Sequence, residues 1–309
     1  GALGVPALHG GDWVCSLPAS SVAPVEHTDL FSAQDLQFER NAAPNLLPEQ
    51  SVGVVNYRHQ FGADFDSLPG EVSANQVSLR TPFLSLGLGE TQILTGLLYE
   101  GTQFDTTGAT MLTEDNLHAI RLPVVVLNVH SESLLWGGMV MPSFAGDLSG
   151  SDNFAISAAL GVGYAFSPTL TLAGGVFYSH GVDDDNVLLP GFVFTWRPTP
   201  KWEVFYLGIS GGVSYAINEA WKVAVFGEYD PAQWMVEADG LGPDRTIEVD
   251  TVNVGVRIEH RISDQFRLRA SGGYSFAREL DIESVGGATL ENSDIDAGPF
   301  IEAGLSLRF

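Results

Sequence analysis

Few residues in this 309-residue chain have the types and spacing of a reactive centre. His130-Ser131-Glu132 holds a base, a nucleophile and an acid in consecutive positions, the inventory of an acyl-transfer triad. Neighbours in a strand point to opposite faces and a tight turn rarely converges them, so the run reads as a turn. His59, His118, His180 and His260 are dispersed, with no close pair that suggests a metal site. Asp183, Asp184 and Asp185 are the candidate metal ligands. They offer oxygens suited to Ca²⁺ but lack the glycine and distal glutamate of an EF-hand loop, and so read first as a solvated hairpin tip. Gly161-Val162-Gly163 and Gly272-Gly273 are not followed by helices, which excludes nucleotide loops and leaves strand curvature. Cys15 is the single cysteine, so no intramolecular disulfide exists; no small residue precedes it as a lipoprotein cleavage site would want, and a free thiol in a tail is expected. No catalytic residue and no cofactor are expected.

The remaining chemistry is electrostatic. Arg257, Glu259 and Arg261, then Arg267 and Arg269, then Glu302 and Arg308 fall on one side of three consecutive alternating segments, opposite Val254, Leu268 and Leu307. The candidate lumen set is Arg257, Glu259, Arg267, Arg269, Glu302 and Arg308. An Arg facing hydrocarbon costs about 2–4 kcal/mol at the midplane, so these residues are expected to face an interior and to pair across strands.

The elements that must position them are strands. From Ser51 onward the period is two: Ile301, Ala303, Leu305 and Leu307 alternate with Glu302, Gly304, Ser306 and Arg308, and Val55, Tyr57, Phe61, Ala63 and Phe65 oppose Asn56, Arg58, Gln60 and Asp64. Further strand windows lie near 75–88, 91–101, 115–129, 133–144, 153–166, 169–181, 188–197, 201–207, 211–217, 221–229, 251–261 and 265–276. Connections alternate between short ones, such as Gly89-Glu90 and Ser263-Asp264, and longer ones near 66–74, 102–114, 145–152, 182–187, 230–248 and 279–295. That is the layout of an antiparallel up-and-down transmembrane β-barrel. A reversal at Gly208 to Gly212 gives 14 strands, with two strands of about seven residues; the count is 12 if they merge and a second boundary also falls away. Residues 1–50, with Pro6, Pro18, Pro24, Pro44 and Pro48 and no alternation, are an irregular leader, periplasmic or a plug; residues 51–309 form the barrel.

Charge placement favours a membrane barrel over a soluble β-sandwich. Only 17% of residues are charged and 45% are hydrophobic, with mean hydropathy +0.12, yet no apolar run is long enough for a membrane helix. The net charge of −24 excludes a basic nucleic-acid footprint. Acids crowd the long connections, including Asp147, Asp152, Asp230, Glu237, Asp239, Glu248, Asp250, Glu279, Asp281, Glu283, Glu291 and Asp294. Trp136, Phe144, Phe166, Trp196, Trp202, Trp221, Tyr229 and Trp234 sit near strand ends, where amphipathic rings prefer the lipid–water boundary.

Leu305, Leu307 and the terminal Phe309 resemble the C-terminal signal by which bacterial outer-membrane proteins are recognised for barrel insertion. The run Leu188 to Trp202, with Pro190, Trp196, Pro198 and Pro200, followed by Val213-Ser214-Tyr215 and Trp221, resembles a family of outer-membrane barrels catalogued only as a domain of unknown function. That resemblance implies the fold and a bacterial outer-membrane location with periplasmic termini, and supplies no catalytic residues.

Two functions compete. One is a narrow pore or solute channel with a charged lumen. The other is a structural or interaction barrel whose lumen is filled by ion pairs and which docks a partner through its leader or loops. Expected partners are outer-membrane lipids and lipopolysaccharide, the barrel-assembly machinery, and a protein partner or second copy.

Overall fold

The computed structural model describes residues 52–108, 110–112, 116–147, 153–181, 186–236, 244–284 and 287–308. Every regular element among them is a strand. They are β1 (Val52–Asp64), β2 (Gly70–Leu88), β3 (Thr91–Gly108), β4 (Asn116–Arg121 and Val124–Val129), β5 (Leu134–Gly146), β6 (Phe154–Ser167), β7 (Leu170–His180) and β8 (Asn186–Thr199). The chain continues through β9 (Trp202–Leu207), β10 (Ser210–Ala216), β11 (Trp221–Tyr229 and Ala232–Val236), β12 (Arg245–Arg261), β13 (Phe266–Ser284) and β14 (Thr289–Ile295 and Gly298–Arg308). Proline accounts for two of the three interruptions: Pro123 in β4 and Pro231 in β11 carry no N–H for the ladder.

Each strand pairs antiparallel with its neighbours in sequence, and β1 pairs with β14 from Val52↔Arg308 to Gln60↔Phe300, closing a barrel of 14 strands. The reversal at Gly208 occurs, with Gly208 at φ 83, and leaves β9 and β10 only 6 and 7 residues long. Six short turns and the described end of β14 lie at one end of the barrel, and the longer connections lie at the other. Between the ends the outward side is apolar. Val254, Val256 and Ile258 on β12, Leu268 and Tyr274 on β13, and Leu160 and Val162 on β6 are exposed. Trp136, Trp196, Trp202, Trp221 and Phe266 ring the turn end, with Phe61, Phe154, Tyr229 and Phe276 towards the loop end. Phe266 and Phe276 are ten residues apart, about 25 Å of axial height at the usual strand tilt, the height of a lipid-facing band. This is the exterior of a membrane-spanning barrel.

The strands do not stop where the alternation of the sequence suggested. β2 starts at Gly70, β3 reaches Gly108, β12 starts at Arg245 and β13 reaches Ser284. Glu71, Glu248, Asp250, Glu279, Asp281, Glu283, Glu291 and Asp294, expected in loops, are therefore strand residues. Their strands continue because the sense of the alternation inverts. In β12, Val252 to Ile258 are apolar outward and Asn253 and Arg257 polar inward; further along, Glu248 and Asp250 face out while Ile247 and Val249 face in. In β13 the inversion comes with an extra residue: the register slips between Asp250 and Val252, and Ala277 takes φ 45, after which Leu280 and Ile282 point inward.

The inward apolar residues of this extension form a core. Phe65, Val72, Phe104, Leu117, Trp234, Met235, Val236, Ile247, Leu280, Ile282 and Ile295 pack together, and Leu117, Ile247, Leu280 and Ile282 are 0% exposed. Trp234, expected at the lipid boundary, is 2% exposed and meets Phe104 edge-on at 5.9 Å, because the end of β11 bends into this core. There it bridges to β5 in parallel, Met235↔Gly146. A Cβ on Gly146 would lie 2.3 Å from the Met235 carbonyl oxygen, so only glycine permits the approach. The core thus caps the loop end, and β7–β10 contribute nothing to it.

Inversion predicts opposite responses at adjacent positions. Leu280→Ala should destabilise the barrel by about 2–5 kcal/mol, and Glu279→Ala should stay within about 0.5 kcal/mol. Urea unfolding in lipid vesicles measures both; equal losses would show that the cap is not a packed core.

Candidate functional site

The inward residues below the cap divide into two sectors. On β1 and β11–β14 they are charged and aromatic. Arg58, facing in from β1, donates Nε to Glu302 Oε2 at 3.0 Å and Nη1 to Asp230 Oδ2 at 2.9 Å, and pairs through Nη2 with Glu228 and Glu302. Its guanidinium lies 5.4 Å from the Phe300 ring centre, and that of Arg257 lies 4.3 Å from the Phe226 ring centre. Glu228 also accepts from Asn253 Nδ2 at 3.5 Å, and Ser275 Oγ donates to Asn253 Oδ1 at 2.7 Å. Arg58, Glu228 and Glu302 are buried, so their charges are neutralised by one another rather than by water.

The sequence-derived set falls around this cluster. Glu302 is the acceptor of Arg58. Glu259 sits between Arg267, at 3.5 Å, and Arg269, at 4.0 Å. Arg257 stands over Phe226, and Arg308 holds the same inward register at the turn end, opposite Val52. A further knot lies to the side, where Glu203 accepts from Arg197 at 2.6 Å and from Lys222 at 3.4 Å. The centre of the cluster, Arg58 with Glu228 and Asp230, is absent from the sequence-derived set. Barrel closure was the available signal: first and last strands must pair, and that register sets Arg58 opposite Glu302.

On β5–β8 the inward face is different. Gly137↔Gly161, Gly161↔Gly175 and Gly175↔Gly191 are successive register partners, so four glycines form one row across four strands. The row on the loop side is Met139, Ala159, Phe177 and Leu189; on the turn side it is Leu135, Gly163, Ala173 and Val193. At Gly137 the space over the row is taken by Leu127, whose Cδ2 would lie 2.7 Å from a Cβ, and Leu135 and Met139 pack with Leu94, Val125, Leu127 and Ala165 in a second core; the glycine row is therefore a groove between apolar ridges on β6–β8. A Cβ at Gly175 would lie 2.2 Å from the Leu160 carbonyl oxygen, whereas at Gly191 nothing lies within 4 Å.

The other candidates come to structural ends. Ser131 Oγ accepts the backbone N–H groups of Ser133 at 3.3 Å and Leu134 at 3.1 Å, so it stabilises a turn. His59, His118, His180 and His260 lie on outward faces, where His59 meets Asn75 at 2.9 Å, His118 meets Tyr99 at 3.0 Å and His260 stacks on Trp221 at 4.1 Å. Asp183, Asp184, Asp185 and Phe309 lie outside the described residues, as does the leader. Leu305 and Leu307 are on the outward face of β14.

The Arg58 cluster predicts a sharp asymmetry. Arg58→Met leaves three carboxylates, Glu228, Asp230 and Glu302, facing one another without their cation, and should cost about 3–5 kcal/mol. Glu219→Ala, at the exposed end of a 4.0 Å contact with Arg261, should leave the unfolding midpoint unchanged. Denaturant titration in vesicles reads both, and a neutral Arg58→Met would remove the cluster's structural role.

No curated protein matches the chain. Loosely similar solved structures include an outer-membrane channel from Pseudomonas putida F1, with TM-score 0.46 and 9% identity over 84% of this chain and 94% of that one. The toluene transporter TodX of P. putida gives TM-score 0.40 and 10% identity, covering 92% and 96%. The toluene transporter TbuX of Ralstonia pickettii gives 0.39 and 11%, covering 85% and 90%. Residues 139–308, more than half of the chain and containing the resemblance seen between Leu188 and Trp221, match the model described as domain of unknown function DUF6268, and the chain belongs to that family.

Proposed function

We propose that this protein is a bacterial outer-membrane channel for small apolar solutes, with both termini in the periplasm and the acidic loop end outside. The observation that carries this reading is the glycine-floored apolar groove on the inner wall of β6–β8, beside the packed cluster that holds Leu135 and Met139. The lining of a water-filled pore is polar, and apolar inward residues are otherwise justified by a packed core. The ridges of this groove include Phe177, partly exposed, and Leu189, 52% exposed, and neither belongs to a buried core cluster. Such a wall is wetted best by an apolar guest.

Arg257, Glu259, Arg267, Arg269, Glu302 and Arg308 line the opposite wall in this reading. Their ion pairs hold that side of the barrel, Glu259 between Arg267 and Arg269 and Glu302 on Arg58. On the outside, the outward carboxylates of β12 and β13 meet lipopolysaccharide headgroups through their counter-ions.

The interlocked Arg58 cluster and the packed cap favour a second reading, a scaffold that transports nothing. Uptake of the apolar dye N-phenyl-1-naphthylamine by de-energised Gram-negative cells separates the two. Cells expressing the barrel should take up the dye several-fold faster than cells with an empty vector, while entry of a sugar of similar size is unchanged. Equal dye uptake would favour the scaffold, and a matching rise in sugar uptake would indicate a general aqueous pore.

A further inference from the structure

The wall of the barrel is incomplete above the β9–β10 hairpin. Pairing of β8 with β9 ends at Val193↔Leu207, where the hairpin turns at Gly208-Ile209, yet β8 itself extends to Asn186. Among the described residues, Val187 to Phe192 therefore have a ladder on the β7 side only. On the far side of the hairpin, β11 continues to Val236, paired with β12 and bent across to β5. Between them lies a notch whose β8 edge is the six residues Val187 to Phe192, about 20 Å of strand. Both faces of that edge are open: Leu188 is 69% and Phe192 57% exposed outward, and Val187 is 43% and Leu189 52% exposed inward.

Trp196 marks the turn-end boundary on β8, so this edge stands in the outer half of the lipid-facing band. Unpaired backbone is tolerated at membrane depth only where protein covers it or where it lines a cavity. Lipid chains cannot satisfy it. A second copy inserted in the same sense cannot either, because identical strand edges zip antiparallel about an axis lying in the membrane plane, which would invert one copy. Among the described residues none covers this edge, which leaves it as the rim of a mouth.

The glycine row leads to that mouth. Strand tilt carries the row upward from Gly137 through Gly161 and Gly175, and its last member, Gly191, lies on the open edge with free space about its Cβ direction. Above β1–β5 and β11–β14 the lumen is taken up by the core of the cap, which leaves the groove side as the way out. We infer that the solute path leaves the barrel sideways, through the notch over the β9–β10 tip, and opens between the lumen and the outer leaflet of the membrane. This inference rests on the apolar-solute reading and assigns it a portal, bounded by Leu189, Gly191 and Val193 on one side and the hairpin tip below.

Gly191→Trp is the test. It places an indole into open space at the portal, without meeting backbone. Dye uptake, normalised to the heat-modifiable folded barrel at the cell surface, should fall several-fold towards the empty-vector rate. Phe192→Trp, the lipid-facing neighbour, should keep wild-type uptake. If wild type transports and folded Gly191→Trp transports equally, the lateral portal is wrong and the channel reading stands; if wild type itself adds nothing, the channel reading fails and takes the portal with it. Should Gly191→Trp not fold, Leu189→Lys, which sets a charge in the same opening from a side chain already half exposed, decides by the same comparison.

Discussion

A strand that crosses hydrocarbon must turn its apolar side outward, and the same strand, once past the headgroups, must turn it inward. The rest of this barrel follows from how it meets that reversal. β12 does so by a change of residue types along an unbroken alternation, Val256 and Val254 giving way to Asp250 and Glu248 on the outer face. β13 does so with one extra residue at Ala277. Once the inward side is apolar, the extension behaves as a soluble β-structure with its own core. That core draws β11 across to β5, and the loop end of β1–β5 and β11–β14 is packed rather than open.

Sealing redistributes work inside the barrel. A ring of fourteen strands encloses more space than side chains fill uniformly, and this one is lined unequally. One wall carries long side chains locked in ion pairs and against rings, Arg58 with Glu228, Asp230 and Glu302, and Arg257 over Phe226. The other carries a row of glycines between apolar side chains such as Phe177 and Leu189. Charged residues gathered on one wall can neutralise each other at short range; spread around the lumen they would each need water. Concentrating them leaves the β5–β8 wall free to be apolar.

Much of this was legible as period two. In β12, in β13 as far as Phe276 and in the second part of β14 each residue's side follows from alternation alone, and the strand count follows from loop parity once Gly208 is allowed to turn. What alternation could not show was partnership over long separations. Arg58 and Glu302 are 244 residues apart, and only closure of the barrel makes them neighbours. The cap was hidden for a related reason. Ile247 and Val249, Leu280 and Ile282 stand one residue from acids, and a short alternating stretch rich in carboxylates looks like a solvated loop until its inward residues are seen to meet across the barrel. Trp234 misled in the same way: its position near a strand end suited a lipid boundary, but its strand bends inward. The glycine row was noticed only as curvature, since Gly137, Gly161, Gly175 and Gly191 align only when four strand registers are known.

The two half-length strands acquire a reason in this frame. Spanning the lipid band takes about 9–11 residues, so β9 and β10 cannot complete the wall, and leaving it incomplete exposes backbone that a purely structural barrel would do better to cover. A one-sided groove also suits passage better than storage. A small aromatic solute resting on the glycine floor would bury on the order of 100 Å² of its surface against the ridges, about 2–3 kcal/mol at about 25 cal/mol per Å². That is enough to draw an apolar molecule out of water and too little to hold it against the neighbouring lipid. In the proposed reading, a weak groove beside a gap in the wall would let such a solute pass between lumen and membrane without disturbing either the ion pairs or the cap.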